Sequence, residues 1–363
     1  MILVTCLPRG DRLFIVIKKR TILSAGFALF LALILAAYAF IPRSPLSLYA
    51  FNPTEEKKFI KWVDFNVPYK VLEKTLALDI KSYGTKTKLN WIELMAYLAA
   101  KYGGNFKRYR NSDLDKVVKS LNEGVPMAEI TADMKYYAYY HEAYSAVLGG
   151  FVGEFEVEID DPDHPNSKKF VKKYGLKAFS PIAKGYGFSH YDDFGNSRSY
   201  GFRRKHLGND LLGSIGTPVI AVESGIVEAM GWNQYGGWRI GIRSFDKKRY
   251  YYYAHLRKNH PFNNMLAEGK TVKAGDVIGY LGMTGYSTTQ NVNNIKTPHL
   301  HFGLQLIFDE SQKECNNEIW INVYALVNLL QKNRSAVAKN VDLNDYFRVY
   351  DFKDSTIPQD QDD

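Results

Sequence analysis

The chain has 363 residues, 46% of them hydrophobic, so it can bury two modest cores and is not a disordered protein. Its formal charge of +9 does not indicate a nucleic-acid-binding protein, because residues 1–43 hold six Lys/Arg against one Asp and the remainder is nearly balanced. Two cysteines, Cys6 and Cys315, exclude a disulfide framework. From the charge distribution, we expect no nucleic-acid partner.

An uncharged apolar run at residues 21–41 matches the thickness of a bilayer core and predicts a transmembrane anchor. Five basic residues precede the run and only Arg43 follows closely, which predicts a cytoplasmic segment at residues 1–20 and export of the rest. The alternative is a signal peptide that is cleaved near Ala39 to release a secreted protein. The run is longer than the usual core of such signals, which favours a single-pass membrane protein with an extracytoplasmic catalytic domain.

Residues 50–150 have the apolar spacing and end signals of helices and predict a small all-α domain. Asn90 is expected to cap one helix, Ser112 with Asp115 to form a capping box for the next, and Thr131 to begin a third. No catalytic motif stands out in this region. We expect it to act as a spacer or as a docking site for a protein partner.

The segment DDPDHPN at residues 160–166 combines prolines with Asx residues and predicts a domain boundary. Beyond it, glycines separate short runs of Val, Ile and Tyr, which predicts a mainly antiparallel β domain over residues 165–330. A short helix is expected between Ile319 and Leu330. Residues 331–363 are expected to form a C-terminal tail, disordered after Asp351. The fold class predicted for the whole chain is α+β.

The histidines fall at positions that suit a shared site. In PHLHFGLQL the two-residue period of a strand puts His299 and His301 on one face, with apolar residues on the other. The same alternation in YYYYAHL places His255 on the side of Tyr251 and Tyr253. The opposite side then takes Tyr250, Tyr252 and Ala254.

His206 and Asp210 stand in HLGND, where their spacing could suit a helix but Gly208 and Asn209 favour a turn that runs into a strand. In either conformation both side chains can reach one cation. Catalytic zinc takes three nitrogen, oxygen or sulfur ligands and keeps a fourth position for water, and two histidines with one carboxylate meet that need. Surroundings rich in histidine and poor in oxygen disfavour magnesium and calcium. A lone strand histidine is more often a hydrogen-bonded structural residue, but here several occur in conjunction.

From about Ser180 to Leu306 the sequence resembles the lysostaphin-type zinc endopeptidases, which hydrolyse peptidoglycan. The resemblance is carried by HLGND, GTPVIAV, YAHL, VKAGDVIGYLGMTG and PHLHF. It implies one zinc per chain, held by His206, Asp210 and His301, with His255 and His299 as catalytic histidines. It also implies a barrel-sandwich-like antiparallel fold with an open groove. In two departures from the family pattern, TTQNVNNIKT lengthens the loop before PHLHF, and Gly303 stands where an acidic residue is common.

The expected function is zinc-dependent hydrolysis of peptide bonds in cell-wall peptidoglycan. Aromatic residues expected to line the substrate groove are Trp232, Tyr235, Trp238, Tyr253 and Tyr286, and the alternative for the loop aromatics is packing beneath glycine-rich turns. The rival function is a catalytically silent cell-wall-binding or scaffold protein of the same fold. A lipoyl or biotinyl carrier is disfavoured, because no lysine sits at the hairpin turn where the cofactor would be attached.

Overall fold

The computed structural model describes residues 59–313 and 317–357 of the chain. The predicted cytoplasmic segment and the anchor at residues 21–41 lie outside this part. Within these two ranges, no helix combines the length and the apolar character needed to cross a bilayer. Membrane anchoring therefore stays a prediction.

Helices occupy the first third of the described chain and form the predicted helical region. Their bounds are α1 Tyr69–Ser82, α2 Trp91–Tyr102, α3 Asn111–Asn122, α4 Met127–Ile130 and α5 Tyr137–Leu148, with α6 at Tyr324–Leu330 far along the chain. Helix α2 packs against both α1 and α5, and buries Leu94, Met95 and Leu98 completely. Apolar burial on this scale, rather than helix propensity, stabilises helices of this length.

Two of the three predicted helix starts are wrong. Asn90 caps α2 as expected, since its side-chain oxygen accepts from the backbone N–H groups of Ile92 and Glu93. No capping box forms at Ser112, because α3 begins one residue earlier and Asp115 pairs with Lys74 at 2.8 Å instead. Thr131 follows α4 as its C-cap, and its hydroxyl donates to the carbonyl of Met127.

Seventeen short strands lie in the described chain beyond α5. They are β1 Val152–Asp160, β2 Lys168–Leu176, β3 Ser189–His190, β4 Ser197–Tyr200, β5 Phe202–Lys205, β6 Asn209–Leu212, β7 Pro218–Ile220, β8 Gly225–Asn233, β9 Gly237–Ser244, β10 Arg249–Ala254, β11 Thr271–Val272, β12 Val277–Tyr280, β13 His299–Leu306, β14 Ile319–Ile321, β15 Val337–Asn340, β16 Asp345–Arg348 and β17 Phe352–Lys353. Every pairing among them is antiparallel, which confirms the predicted sheet type.

The largest sheet has the strand order β11-β8-β9-β10-β13-β6-β3, with β14 also paired to β13. One face of its central strands is buried and carries Ile240, Ile242, Tyr251, Tyr253 and Phe302. The other face forms the floor of an open groove. The sheet therefore separates a dry core from a polar surface on which distant parts of the chain meet.

The segment in which we expected a domain boundary, residues 160–166, lies in the turn of a β hairpin. Strands β1 and β2 on either side of it pair along their full lengths, from Val152 opposite Leu176 to Asp160 opposite Lys168. The prolines and Asx residues do make a turn, as predicted, but a turn between two paired strands. Turn chemistry alone does not distinguish a hairpin from a linker.

The expected disorder after Asp351 is not found in residues 352–357. Strand β17 pairs with β1, and Phe352 is buried. Asp354 forms an ion pair with Lys177 at 2.6 Å, and both side chains are almost fully buried. The acidic composition of the segment predicted a solvated tail, but the edge of β1 offers it hydrogen bonds and Lys177 offers it a charge partner. The short helix that was predicted between Ile319 and Leu330 is divided in the structure into strand β14 and helix α6.

Candidate metal centre

The two predicted halves of the metal site meet where β6 pairs with β13. The register of these strands puts Asp210 directly opposite His301. Opposed residues of an antiparallel pair lie close together on one face of the sheet, which explains how side chains 91 positions apart in the chain come into contact. The turn before β6 carries His206 back over the same face, as HLGND predicted.

Three candidate ligand atoms form a small triangle. His206 Nε2 lies 2.8 Å from His301 Nδ1 and 3.0 Å from Asp210 Oδ1, and the remaining side, from His301 Nδ1 to Asp210 Oδ1, is 3.1 Å. A zinc ion bonds such atoms at about 2.0–2.2 Å and can reach all three from one side of their plane. Two imidazole nitrogens and a carboxylate oxygen are a donor set found in catalytic zinc sites, so these residues fit the metal.

The charges around the triangle are strongly coupled when no metal is bound. Burial acts to lower the pKa of His206, but the carboxylates of Asp193 and Asp210 outweigh it and raise the pKa to about 9. Burial acts to raise the pKa of Asp210, and hydrogen bonds from His206 and His301 reverse this and hold that pKa well below its usual range. Binding of a cation must therefore displace a proton from imidazole, which makes metal affinity dependent on pH.

Two residues outside the predicted set orient the ligands. The Nδ1 atom of His206 lies 3.1 Å from the backbone oxygen of Asp193 and 3.2 Å from its Oδ2. Arg198 Nη2 donates to Asp193 Oδ2 at 2.6 Å and to Asp210 Oδ2 at 3.1 Å, which leaves Asp210 Oδ1 for a cation. A carboxylate behind a ligating histidine fixes the orientation and tautomer of the ring. No motif in the sequence marked either residue.

Replacing Asp193 with alanine is expected to lower zinc affinity by about 10–100-fold, because His206 loses the carboxylate beside its Nδ1 and keeps only the backbone oxygen of residue 193. Competition with a chromogenic chelator measures the change directly. Asp192→Ala is the matched control, since Asp192 is exposed and contacts Asn322 rather than a ligand. Equal zinc affinities for the two variants would contradict this role.

Both predicted catalytic histidines reach the same site. Their ring centroids are 4.8 Å apart, and His255 lies 5.8 Å from the ring of His301. His255 Nδ1 donates to the carbonyl of Thr284 at 2.9 Å, and His299 Nδ1 donates to that of Thr297 at 2.8 Å. In its neutral form, each ring therefore carries the proton on Nδ1 and the lone pair on Nε2. Burial, followed by the neighbouring histidines, lowers the pKa of His255 far below its ordinary value.

The glycine of HLGND is required by close packing at the ligands. A Cβ atom on Gly208 would lie 2.6 Å from the backbone oxygen of Phe302 and 2.8 Å from His301 Nε2. Gly303, the departure from the family pattern, is packed in a similar way, because a Cβ there would lie 2.8 Å from the ring of Trp320. An acidic side chain at position 303 would therefore displace Trp320.

The groove has a volume of 610 Å³, and three of the five predicted lining aromatics do not line it. Tyr235 and Tyr286 line the groove as expected. Trp238 instead packs edge-on between Trp232 and Phe262, and its Nε1 donates to Asn291 in the long loop. For the two tryptophans, the alternative of packing beneath turns is therefore the observed one.

The face predicted for strand β10 is wrong. Tyr251 and Tyr253 are buried in the core, whereas Tyr250 and Tyr252 line the groove. The strand ends at Ala254, and His255 has a left-handed backbone with φ of 63°. This change in backbone direction turns His255 to the groove side, so the two-residue alternation does not extend to it. Sequence reasoning thus found the histidine and missed Tyr250, Tyr252 and Trp320.

The β4–β5 hairpin, also missed, forms one wall of the groove. The ring of Tyr200 stacks on that of Tyr286 with centroids 5.1 Å apart. The ring of Phe202 contacts Tyr235 edge-on, and the guanidinium of Arg204 lies over the rings of both Tyr235 and Tyr286. The hairpin therefore covers the same aromatic surface that borders His255.

Comparison with known proteins agrees with this geometry. The sequence profile of Peptidase family M23 matches residues 204–315. The L-Ala–D-Glu endopeptidase of Bacillus subtilis is 39% identical over 141 residues, which are 38% of this chain and 41% of that protein. Lysostaphin of Staphylococcus simulans is 36% identical over 140 residues, which are 38% of this chain and 23% of that protein. The chain thus spans less than half the length of these relatives.

The solved catalytic domain of lysostaphin from Staphylococcus simulans is 36% identical, with a TM-score of 0.28, and the match covers 34% of this chain and 85% of that domain. The matched region of our chain holds all five site residues: Asp210 on β6, His299 and His301 on β13, His255 directly after β10, and His206 in the turn before β6. Residues 204–315 thus match peptidase family M23, a family of zinc metallopeptidases, and contain the His/Asp/His donor set described above.

Proposed function

We propose that this chain is a zinc-dependent endopeptidase that hydrolyses peptide bonds in cell-wall peptidoglycan. The observation that carries the proposal is the convergence of His206, Asp210 and His301 within 3.1 Å of one another on the floor of an open groove. The names of the relatives, an L-Ala–D-Glu endopeptidase and lysostaphin, support peptide bonds of the cell wall as the substrate class.

His206, Asp210 and His301 would hold the zinc ion. Bound zinc supplies Lewis acidity, which polarises the scissile carbonyl and makes water at the site more acidic. His255 accepts a proton at Nε2, because its Nδ1 proton is held by the carbonyl of Thr284. Its lowered pKa keeps the ring neutral, so that its Nε2 lone pair is free.

His299 supplies a second exchange site for protons. Its Nε2 lies 3.6 Å from Asp210 Oδ1, at the border of the ligand triangle, and its Nδ1 is held by Thr297. Together His255 and His299 accept the proton of the attacking water, stabilise negative charge on the substrate oxygen and return a proton to the leaving amine. Tyr250, Tyr252 and Trp320 offer flat apolar surfaces against which a peptide chain can lie.

Digestion of purified peptidoglycan tests the proposal. The full-length protein is expected to release peptide fragments, identified by mass, and a chelator is expected to stop their release until zinc is added back. His255→Ala is expected to lower kcat by about 10²–10⁴-fold with zinc still bound, because a positioned base contributes that much. Fragment release that continues without metal would place the hydrolysis elsewhere.

The catalytically silent alternative is decided by the same assay. A scaffold protein would bind zinc and cell wall and release no fragments. No observation among residues 59–313 and 317–357 favours that alternative, since all three ligands and both accessory histidines are in contact. Fragment release by the unmodified protein and its loss in His255→Ala would exclude it.

We also propose that residues 21–41 anchor the enzyme in the cell membrane, with residues 1–20 in the cytoplasm and the M23 domain outside. The support is the uncharged length of that run and the excess of basic residues before it. The helical region is proposed to act as a spacer or to dock a protein partner. Cell fractionation with N-terminal sequencing tests the anchor, because cleavage near Ala39 would yield a shorter secreted protein.

A further inference from the structure

Two arginines in the groove have no acidic partner. Among the described residues, Arg204 and Arg239 are the partly buried arginines for which neither an ion pair nor a conventional hydrogen bond is found. Arg198, Arg243 and Arg249 are all paired with carboxylates. A guanidinium carries five N–H donors in a rigid fork that suits a carboxylate, so two unpaired forks facing one groove require an explanation.

Arg204 is held close to the reacting groups. Its guanidinium carbon lies 4.8 Å from the ring centroid of Tyr235 and 5.1 Å from that of Tyr286. The ring of Tyr286 is in turn 5.8 Å from that of His255. Each of these three distances is shorter than the length of two residues of an extended peptide, about 7 Å. The Nη1 atom of Arg204 is buried and unpartnered, a costly state for a charged donor unless a ligand supplies the acceptor.

Arg239 borders the site on the floor of the sheet. It lies on β9, two strands from the ligand His301, or about 10 Å at the usual spacing of strands. The strand between them contributes a small residue beside the ligand, because Ala254 of β10 pairs with His301. Arg239 therefore lines the same groove as His301.

The acidic residues of the groove are already engaged. Glu228 pairs with Lys313 and with Arg243, and Glu318 accepts a hydrogen bond from Trp320 Nε1 at 2.8 Å. Asp210 is a ligand. The charged groups that remain free to bind a substrate are therefore the positive guanidinium groups of Arg204 and Arg239. An uncharged peptide would leave both groups without a carboxylate acceptor.

We infer that the groove selects an acidic peptide, with Arg204 and Arg239 each binding a substrate carboxylate near the scissile bond. The inference rests on the proposed function and defines its substrate class. A neutral peptide, such as a glycine chain, would gain nothing from either arginine. Specificity then comes from the cost of leaving charged donors unpaired in a partly buried groove.

The test compares two forms of one substrate: purified peptidoglycan, untreated and with its carboxyl groups converted to amides by carbodiimide and ammonia. Initial rates of amino-group release are measured at low substrate concentration, so that they report kcat/KM. The unmodified enzyme is expected to prefer the untreated form by about tenfold or more, as loss of a charge-assisted hydrogen bond predicts. In Arg204→Gln and in Arg239→Gln this preference should fall towards one.

Arg203→Gln is the matched control, because Arg203 is a neighbouring, exposed residue of the same hairpin whose Nε donates to Ser197. Its preference should equal that of the unmodified enzyme. Zinc content is measured for every variant, and Arg204→Met, which also removes the charge, replaces Arg204→Gln if that variant loses zinc. Equal cleavage of both substrate forms by the unmodified enzyme, or an equal effect of Arg203→Gln, would overturn the inference and leave the proposed function intact. If the unmodified enzyme cut neither form of the substrate, both the inference and the proposed function would be wrong.

Discussion

Replacing His206 with alanine is expected to leave the chain without bound zinc and to reduce hydrolysis to the level seen with a chelator. His206 Nε2 is one corner of the ligand triangle, 2.8 Å from His301 and 3.0 Å from Asp210. Zinc affinity should fall by more than about 100-fold, since even the loss of an outer hydrogen-bond partner costs 10–100-fold. Metal analysis after dialysis and the peptidoglycan assay measure the two effects.

His164→Ala provides the control for this experiment. His164 also lies beside a carboxylate, Asp161 at 3.0 Å, but its side chain is 77% exposed in the β1–β2 turn, outside the groove. This variant should keep one zinc per chain and full activity. If His206→Ala kept its zinc, the metal would have to be held by a different set of residues, and the proposed mechanism would lose its foundation.

The ligands could be predicted because local geometry already places them. Alternation along β13 puts His299 and His301 on one face whatever the rest of the chain does. The turn in HLGND is similarly indicated by neighbouring residues, because Gly208 and Asn209 favour a turn. These short-range rules still hold in the folded protein. The antiparallel sheet was predictable for the same reason.

The face of β10 could not be predicted, because it depends on one backbone angle. Continuing the alternation through Ala254 assigns Tyr253 to the groove, whereas the positive φ of His255 reverses the direction of the side chain. Histidine alone does not predict this conformation, and the carbonyl that accepts from His255, that of Thr284, belongs to a distant loop. The error therefore falls at a functional residue, where local rules are most often broken.

Asp193, Arg198 and Arg204 were missed for a different reason: their roles come from contacts between a hairpin and the sheet. Arg198 reaches Asp210 only because the β4–β5 hairpin folds over the groove. No periodicity marks such an arrangement. The predicted helix starts at Ser112 and Thr131 are also wrong. At Ser112 the reason is similar, because Asp115 forms an ion pair with Lys74 of another helix.

Replacing Glu223 with alanine is expected to lower the free energy of unfolding by about 3–5 kcal/mol, because the buried charge of Arg249 loses its buried partner and keeps only Asp246, which is 47% exposed. Glu223 accepts from Arg249 Nε at 2.7 Å and from its Nη2 at 3.0 Å, and the hydroxyl of Tyr251 donates to it at 2.6 Å. Arg249 is 1% exposed. Urea unfolding followed by tryptophan fluorescence measures the loss.

The same pair ties the helical region to the M23 domain, because Arg249 Nη1 donates to the carbonyl of Ala146 in the last turn of α5. Removing Glu223 should therefore destabilise both regions together. The exposed pair of Lys74 and Asp115 is the comparison, and Asp115→Ala should cost less than about 1 kcal/mol. Replacing both partners, with Glu223→Leu and Arg249→Met, should recover much of the loss, because no unpaired charge then remains buried. If the double variant were no more stable than Glu223→Ala, shape and hydrogen bonding rather than the unpaired charge would account for the cost.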